Sequence, residues 1–303
     1  MLLLEQVSYL EIIIKNQMKQ KNLDTYNNYK QLKTNHIMKK SRNPIVKRVV
    51  ERFETIQQVA KVFVTSNSAQ KGLLISGDAG MGKSHYVKQA FIETESTDRV
   101  DYCKSRSFTA AAMYAKLWEN RNPGDVVVFD DCSLSSMTGE NFRKLTDFFK
   151  GALELTSGPR MLGYEAASAN QLFRDLGVER EFDFQGSIIW ITNTKFDKLA
   201  SKFGDHWEAI ERRFIPVGIS LTKEEKYLYT NHLIESVEML GKNCDAKEGG
   251  YSDKIIEATM DFLADNYENF KDITPGVALK IADTMDQFPT MYTTILSNQN
   301  LYI

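Results

Sequence analysis

Several features that mark particular classes of protein are scarce in this sequence, and each scarcity argues against one class of protein or one kind of site. The 303 residues include three cysteines, Cys103, Cys132 and Cys244, without a C-x-x-C pair. We therefore expect neither a zinc site nor a disulfide framework, and we favour a reducing, cytoplasmic setting. The four histidines have no mutual spacing that indicates a metal site. A net charge of −2 gives no overall electrostatic signature of a nucleic-acid-binding protein.

Long apolar runs and internal repeats are also missing. The apolar N-terminus is interrupted by Glu5 and Glu11, follows no basic region and is too short to span a bilayer. We therefore expect neither a signal peptide nor a membrane partner. The lack of a repeat excludes solenoids and propellers. The apolar and charged fractions, 42% and 26%, are those of an ordinary globular protein.

The most informative stretch that is present runs from Gly77 to Ser84 and matches the P-loop pattern G-x-x-x-x-G-K-[ST]. An apolar run precedes it and a helical pattern follows it, which is the context that the motif needs. We expect backbone N–H groups to surround the phosphates of a nucleoside triphosphate, Lys83 to contact the β- and γ-phosphates, and Ser84 to bind Mg²⁺. The alternative is a glycine-rich turn in an unrelated α/β protein. The residues assigned to nucleotide binding are Gly77, Asp78, Ala79, Gly80, Met81, Gly82, Lys83 and Ser84.

Helix and strand patterns alternate before residue 220, and every later pattern is helical. The alternation predicts an α/β fold, a three-layer P-loop NTPase core with a parallel five-stranded sheet. We expect a basic N-terminal extension over 1–44, the core over 45–220 and a small all-α domain over 221–303. The expected helices of the core are 44–65, 85–91, 109–120, 138–155 and 206–210, and its expected strands are 72–76, 99–104, 125–131, 187–193 and 214–219.

Polar residues end two of the predicted strands, at the edge where open α/β sheets bind ligands. We expect Asp130 to hold the Mg²⁺ shell and Asp131 to orient or deprotonate an attacking water. The alternative is that these acids cap the following helix near Ser133. Asn193 ends the next strand, where its amide would hold the same water or sense the γ-phosphate.

Two arginines precede the last predicted strand. A guanidinium delivered to the γ-phosphate of a neighbouring subunit would stabilise the transition state. We assign this role to Arg213, with Arg212 as the fallback. The alternative is a surface ion pair with Glu208 or Glu211.

The order of these motifs resembles that of the AAA+ ATPases over roughly residues 45–290, and that of small bacteriophage AAA+ proteins over 71–222. The resemblance implies an ATP hydrolase with Walker A at 77–84, Walker B at Asp130 and Asp131, and sensor 1 at Asn193. It also implies a homo-oligomeric ring, expected to be a hexamer, with ATP and Mg²⁺ at its subunit interfaces and 221–303 as a lid. Walker B usually ends in Asp-Glu, so Asp131 is a shorter base. Val277 stands where the lid arginine of sensor 2 is expected, and Lys280 or no residue takes that role.

Three functions are compatible with this resemblance. The first is a motor or switch ATPase that acts on DNA in replication, recombination or packaging in the host cytoplasm. The second is a protein-remodelling chaperone or helicase loader, and the third is a regulatory nucleotide-binding module with low turnover. Both nucleic acid and a protein stay open as partners.

Two segments bear on contact with nucleic acid. The basic stretch 15–48 is either an arm that contacts phosphates or a solvated segment, unless translation begins at Met38. Arg160 and Tyr164 either contact a threaded strand or belong to a structural hairpin.

Overall fold

The computed structural model describes residues 43–298 except 67, 133, 135, 136, 157 and 165–176. Most of the predicted basic extension, including 15–42, lies outside the described residues. The chain divides into two compact units, of which the first is Val50–Ser220 and the second contains the described residues 43–49 and 221–298.

The first unit contains seven described strands, β1 Gly72–Gly77, β2 Val100–Lys104, β3 Val126–Asp130, β4 Met161–Gly163, β5 Glu181–Asp183, β6 Ser187–Thr192 and β7 Ile215–Ile219. Five of them form a parallel sheet with the order β2-β3-β6-β1-β7, and β4 and β5 form a separate antiparallel pair. The strands β1, β3 and β6 are buried at every position, as expected for strands that are covered on both faces. The predicted α/β fold with a parallel five-stranded sheet is therefore confirmed.

Short-range signals fix several helix starts. The Thr109 hydroxyl accepts the Ala112 N–H at 3.2 Å, and Thr222 forms a reciprocal capping box with Glu225. The helices, in chain order, are α1 Pro44–Thr65, α2 Lys83–Glu93, α3 Ala110–Glu119, α4 Gly139–Ala152, α5 Phe196–Phe203, α6 Trp207–Glu211, α7 Lys223–Ser236, α8 Asp253–Asp265, α9 Pro275–Gln287 and α10 Tyr292–Ser297.

Aromatic packing joins α4 to the sheet. Phe149 on α4 stacks on Trp190 of β6 with ring centroids 5.4 Å apart. It also meets Phe214, just before β7, edge to face at 5.3 Å. Burial of such large apolar side chains is the main contribution to the stability of the sheet. This packing also holds the chain just before β7, where the two arginines lie.

The β4–β5 pair decides between the two interpretations of Arg160 and Tyr164. Arg160 is only 3% exposed, and its guanidinium donates to the carbonyl oxygens of Glu154 at 2.9 Å and Ala69 at 2.9 Å. Tyr164 packs on Tyr114 with ring centroids 5.3 Å apart. The structural-hairpin interpretation is therefore correct. The expectation that Arg160 contacts a threaded strand is wrong, because its guanidinium is buried and donates to carbonyl oxygens of its own chain.

We expect Arg160→Ala to lower the free energy of unfolding by about 2–4 kcal/mol, because buried carbonyl oxygens lose a charged donor. Chemical denaturation monitored by circular dichroism measures this loss. Arg143→Ala, which removes an arginine from α4, is the control and should change stability by less than about 0.5 kcal/mol. Equal stabilities of the two variants would contradict the structural role of Arg160.

The second unit is helical and has its own core. Leu263 of α8 and Ile281 of α9 are completely buried in it. Lys226 on α7 forms an ion pair with Asp272 at 2.8 Å. Among the described residues, no helix is long and apolar enough to cross a membrane.

Candidate nucleotide site

The P-loop leaves the carboxyl edge of the sheet from β1, which lies between β6 and β7. Gly77 ends β1, and a Cβ atom there would lie 2.6 Å from the carbonyl oxygen of Ile219 on β7. Gly82 precedes α2 with a φ of 90°, in the left-handed region that glycine tolerates best. These two glycines permit the close strand packing and the tight turn that aim the loop into α2.

Lys83, the first residue of α2, is held at the centre of the site. Its side chain is mostly buried, with 6% of the residue exposed. The Nζ atom donates to the carbonyl oxygens of Gly77 at 2.8 Å and Asp78 at 2.7 Å, and to Asn193 Oδ1 at 2.9 Å. The ammonium group is thus placed at the mouth of the loop, where P-loop proteins bind phosphate.

Burial lowers the pKa of Lys83 to about 8, and the carboxylates around it, that of Asp130 first, limit the decrease. The group is charged at neutral pH and loses its proton in mildly alkaline solution. Because the folded pKa lies below the ordinary value of 10.5, the unfolded chain binds more protons between these values. The contribution of Lys83 to the free energy of unfolding therefore rises with pH across that window.

Nucleotide affinity should show the opposite trend, since phosphate needs the charged ammonium. In EDTA we expect the Kd for ATP to increase roughly eightfold between pH 7.5 and pH 9, as the charged fraction of Lys83 falls. Calorimetric titration at a series of pH values measures this. Lys83→Arg, whose guanidinium stays charged, is the control and should show no such loss. A flat profile for the unaltered protein would contradict the assignment of phosphate binding to Lys83.

The two acids at the end of β3 face different surroundings. Asp130 is buried, and its Oδ2 accepts a hydrogen bond of 2.8 Å from the Tyr102 hydroxyl on β2. Asp131 has a φ of 50°, a left-handed conformation that aspartate tolerates better than most residues. Its exposed carboxylate accepts the Asn193 Nδ2–H at 3.0 Å. One carboxylate therefore lies within the sheet edge and the other is available to a ligand.

Asn193 connects the two sides of the site. Its amide oxygen accepts from Lys83 and its amide nitrogen donates to Asp131. The structure therefore brings the P-loop lysine, the residue after β6 and the second acid into one hydrogen-bonded chain. The helix-capping alternative for the acids finds no support at α4, which begins at Gly139 after Thr138; Ser133 lies outside the described residues.

The oxygen atoms predicted for Mg²⁺ also converge. The hydroxyl of Tyr102 donates to Asp130 and interacts with the Ser84 side chain at the start of α2. A hydroxyl and a carboxylate are oxygen donors of the kind that Mg²⁺ takes beside substrate phosphates. The residues present therefore fit the ion, with Ser84 and Asp130 as the groups that would hold it.

The two arginines before β7 are placed differently from each other. Arg213 is half-buried and donates to the carbonyl oxygens of Lys150 at 3.1 Å and Ala209 at 2.7 Å. The Arg212 side chain is 76% exposed and pairs with Glu208, itself 72% exposed, one helical turn earlier. The ion-pair alternative is therefore present at Arg212. The Arg213 guanidinium is engaged within its own chain, and delivery of either guanidinium to a neighbouring subunit stays a prediction.

Lys280 belongs to the second unit. It lies on α9 with an exposed side chain, and its carbonyl oxygen accepts the Thr284 hydroxyl at 2.7 Å. Its role as sensor 2 stays a prediction.

The sequence does not indicate a role for Tyr102. Its pattern predicts the strand that contains this residue but no function for the phenol. The missing information is the parallel register that pairs Tyr102 with Val128 and brings its hydroxyl to Asp130. Strand neighbours that are distant in sequence leave no local pattern, so no signal in a single sequence indicates this contact.

Comparison with known proteins gives one related sequence and several related folds. No family model matches the chain. An uncharacterized 36.7 kDa protein from the nrdC–mobD intergenic region of Enterobacteria phage T4 is 25% identical over 251 residues, covering 81% of this chain and 72% of the phage protein. The RuvB Holliday junction branch migration motor of Thermotoga maritima matches with a TM-score of 0.42 and 14% identity, over 84% of this chain and 65% of RuvB. This chain thus spans about two thirds of the RuvB motor.

Two further solved structures have similar scores. Domain III of the T. maritima replication initiation protein DnaA matches with a TM-score of 0.39 and 12% identity, over 82% of this chain and 85% of that domain. NtrX from Brucella abortus, in complex with ADP, gives a TM-score of 0.41 and 13% identity, over 90% of this chain and 62% of NtrX. By its strand order and the position of its P-loop, the chain has the α/β P-loop ATPase fold and resembles the AAA+ ATPases, with a relative in a bacteriophage.

Proposed function

We propose that this chain is an ATPase that binds Mg·ATP at the carboxyl edge of β1, β3 and β6 and hydrolyses its γ-phosphate. The observation that supports this most is the hydrogen-bonded chain from Lys83 through Asn193 to Asp131. In this proposal Lys83 is the cation for the phosphates, the Asn193 amide orients water and the Asp131 carboxylate accepts a proton, and the three side chains are hydrogen-bonded neighbours. This is the set of groups that phosphoryl transfer to water needs.

Each group then has a defined task. Lys83 exchanges its bonds to the loop carbonyl oxygens and Asn193 for bonds to the β- and γ-phosphates. Asn193, released from the lysine, and Asp131 hold a water in line with the γ-phosphorus. The water oxygen bonds to that phosphorus while the bond to the β–γ bridging oxygen breaks, and the water proton passes to Asp131. Mg²⁺, when bound at Ser84 and Asp130, supplies charge that stabilises the leaving ADP.

We propose further that the site is completed by a second copy of the chain. The exposed Arg212 is the guanidinium best placed to reach another molecule, because Arg213 is bound to its own chain. In this account the copies form a ring, proposed to be a hexamer, and 221–303 acts as the lid of each subunit, with the sensor-2 role open between Lys280 and no residue. Heterologous interfaces of this kind close into rings when the rotation between subunits permits it.

The proposed substrate of the motor is DNA, handled in a phage-type replication, recombination or packaging reaction in the host cytoplasm. The proposal is supported by the resemblance of the motifs to small bacteriophage AAA+ proteins and by the relative in phage T4. The test is the rate of ATP hydrolysis with and without single-stranded DNA, with Asp131→Asn as the variant that binds nucleotide without turnover.

The outcomes separate the candidate functions. Turnover that single-stranded DNA stimulates supports the DNA motor. Turnover that DNA leaves unchanged favours a protein-remodelling chaperone or helicase loader, and tight ATP binding without turnover favours the regulatory module. Failure to bind ATP would contradict the proposal as a whole.

A further inference from the structure

A tyrosine on the strand next to β3 contacts both side chains proposed for Mg²⁺. The Tyr102 hydroxyl donates to Asp130 Oδ2 at 2.8 Å, and the Ser84 side chain interacts with the same phenol. The phenol therefore neighbours both groups that would hold the ion, one on α2 and one at the end of β3. No other role in the proposed reaction requires a phenol at this place.

The phenol is held by regular structure rather than by a loop. Tyr102 lies within β2, which pairs in parallel with β3 along its whole length. The ammonium of Lys88, on the exposed side of α2, lies 5.1 Å from the centre of the Tyr102 ring. A side chain supported in this way has little rotational freedom, so its hydroxyl can fix the direction of a bonded carboxylate.

The bond to Asp130 matters because this residue is only 3% exposed. A buried carboxylate has few water molecules to satisfy its oxygen atoms and depends on fixed donors. With Oδ2 bonded to the phenol, Oδ1 is the oxygen that would hold the ion. Hydrogen-bond partners of this kind fix the orientation of metal-binding groups in proteins generally.

We propose that Tyr102 is a positioning residue for Mg²⁺, which orients the Asp130 carboxylate and keeps the Ser84 hydroxyl beside it until the ion binds. The inference rests on the proposed function, because it assumes that Mg·ATP is the ligand. In this proposal Tyr102 neither orients nor deprotonates the attacking water, and it contacts neither the substrate nor the reacting atoms. It therefore predicts an effect on Mg²⁺ dependence that is separate from ATP binding itself.

The test is Tyr102→Phe, which removes the hydroxyl and retains the ring. The affinity for a fluorescent N-methylanthraniloyl derivative of ATP is measured in EDTA and at a series of MgCl₂ concentrations. We expect the affinity in EDTA to stay within about twofold of the unaltered protein, since Lys83 and the loop are untouched. The MgCl₂ concentration that gives half of the Mg²⁺-dependent gain in affinity should rise about tenfold.

Tyr251→Phe is the matched control. Tyr251 also donates to a carboxylate, Asp283 Oδ1 at 3.3 Å, but in the second unit. It should leave both the affinity in EDTA and the MgCl₂ dependence unchanged. Thermal melting in EDTA of both variants shows whether either change alters folding.

Three results would overturn the inference. Tyr102→Phe could need the same MgCl₂ concentration as the unaltered protein, which would leave the proposed ATPase function intact. It could lose affinity equally in EDTA, or melt far below the control variant, which would indicate a purely structural tyrosine. If the unaltered protein binds no ATP derivative with or without MgCl₂, the proposed function fails together with the inference.

Discussion

Replacing Lys83 with alanine is expected to weaken ATP binding about 100-fold or more. The charged Nζ atom, now bonded to Gly77, Asp78 and Asn193, is the cation proposed to contact the β- and γ-phosphates. Two hydrogen bonds from a charged donor contribute about 3 kcal/mol or more. Isothermal titration calorimetry with ATP and MgCl₂ measures the loss directly.

The control for this change is Lys198→Ala, which removes an exposed lysine from α5 in the same unit. It should bind ATP as the unaltered protein does, so that a loss of net charge alone is excluded as the cause. Circular dichroism checks that both variants fold. Undiminished affinity of a folded Lys83→Ala variant would show that the P-loop is not the phosphate site.

The second large effect is expected from Arg212→Ala, which should reduce ATP turnover about 1,000-fold and leave ATP affinity nearly unchanged. An arginine that reaches the γ-phosphate of another subunit acts mainly in the transition state, where such residues contribute 10³-fold or more. The Arg212 side chain is exposed and is paired with an exposed glutamate. Steady-state hydrolysis and equilibrium binding, measured on the same preparation, separate the two effects.

Two companion variants sharpen this prediction. Glu208→Gln removes the partner of Arg212 and should leave turnover within about twofold, because exposed ion pairs contribute little. Arg213→Ala should lower the melting temperature, since its guanidinium is bonded to Lys150 and Ala209. The prediction would be contradicted if Arg212→Ala kept normal turnover while a stably folded Arg213→Ala variant lost it. Arg213 would then be the guanidinium that acts on the γ-phosphate of a neighbouring subunit.

Much of the fold can be predicted from the sequence because its signals are local. Buried parallel strands such as β3 are continuous apolar runs, and helix starts carry capping residues such as Thr109. The P-loop is specified by its glycines. Gly82 has a left-handed backbone conformation that other residues adopt only with strain, and Gly77 lies too close to β7 for a Cβ atom. The carboxyl edge of a parallel sheet then brings Asp131 and Asn193 together without further information.

The remaining features depend on contacts between distant segments. Arg160 has the charge of a nucleic-acid contact, but the chain folds its own carbonyl oxygens around the guanidinium. The same is true of Arg213, which a sequence pattern cannot distinguish from Arg212. Tyr102 acquires its role only through strand register. The helix α5 was not predicted, because eight residues that begin at Phe196 give a weak periodic signal.

The central claim is that one subunit binds ATP and that an arginine of its neighbour promotes hydrolysis. Mixing two inactive variants tests this claim most directly. Asp131→Asn retains Arg212 but lacks the proposed base, and Arg212→Ala retains the base but lacks the guanidinium. In an equimolar mixture of exchanging subunits we expect about a quarter of the unaltered turnover, because that fraction of interfaces pairs an intact site with an intact arginine. A mixture that is no more active than its two components would contradict the shared site.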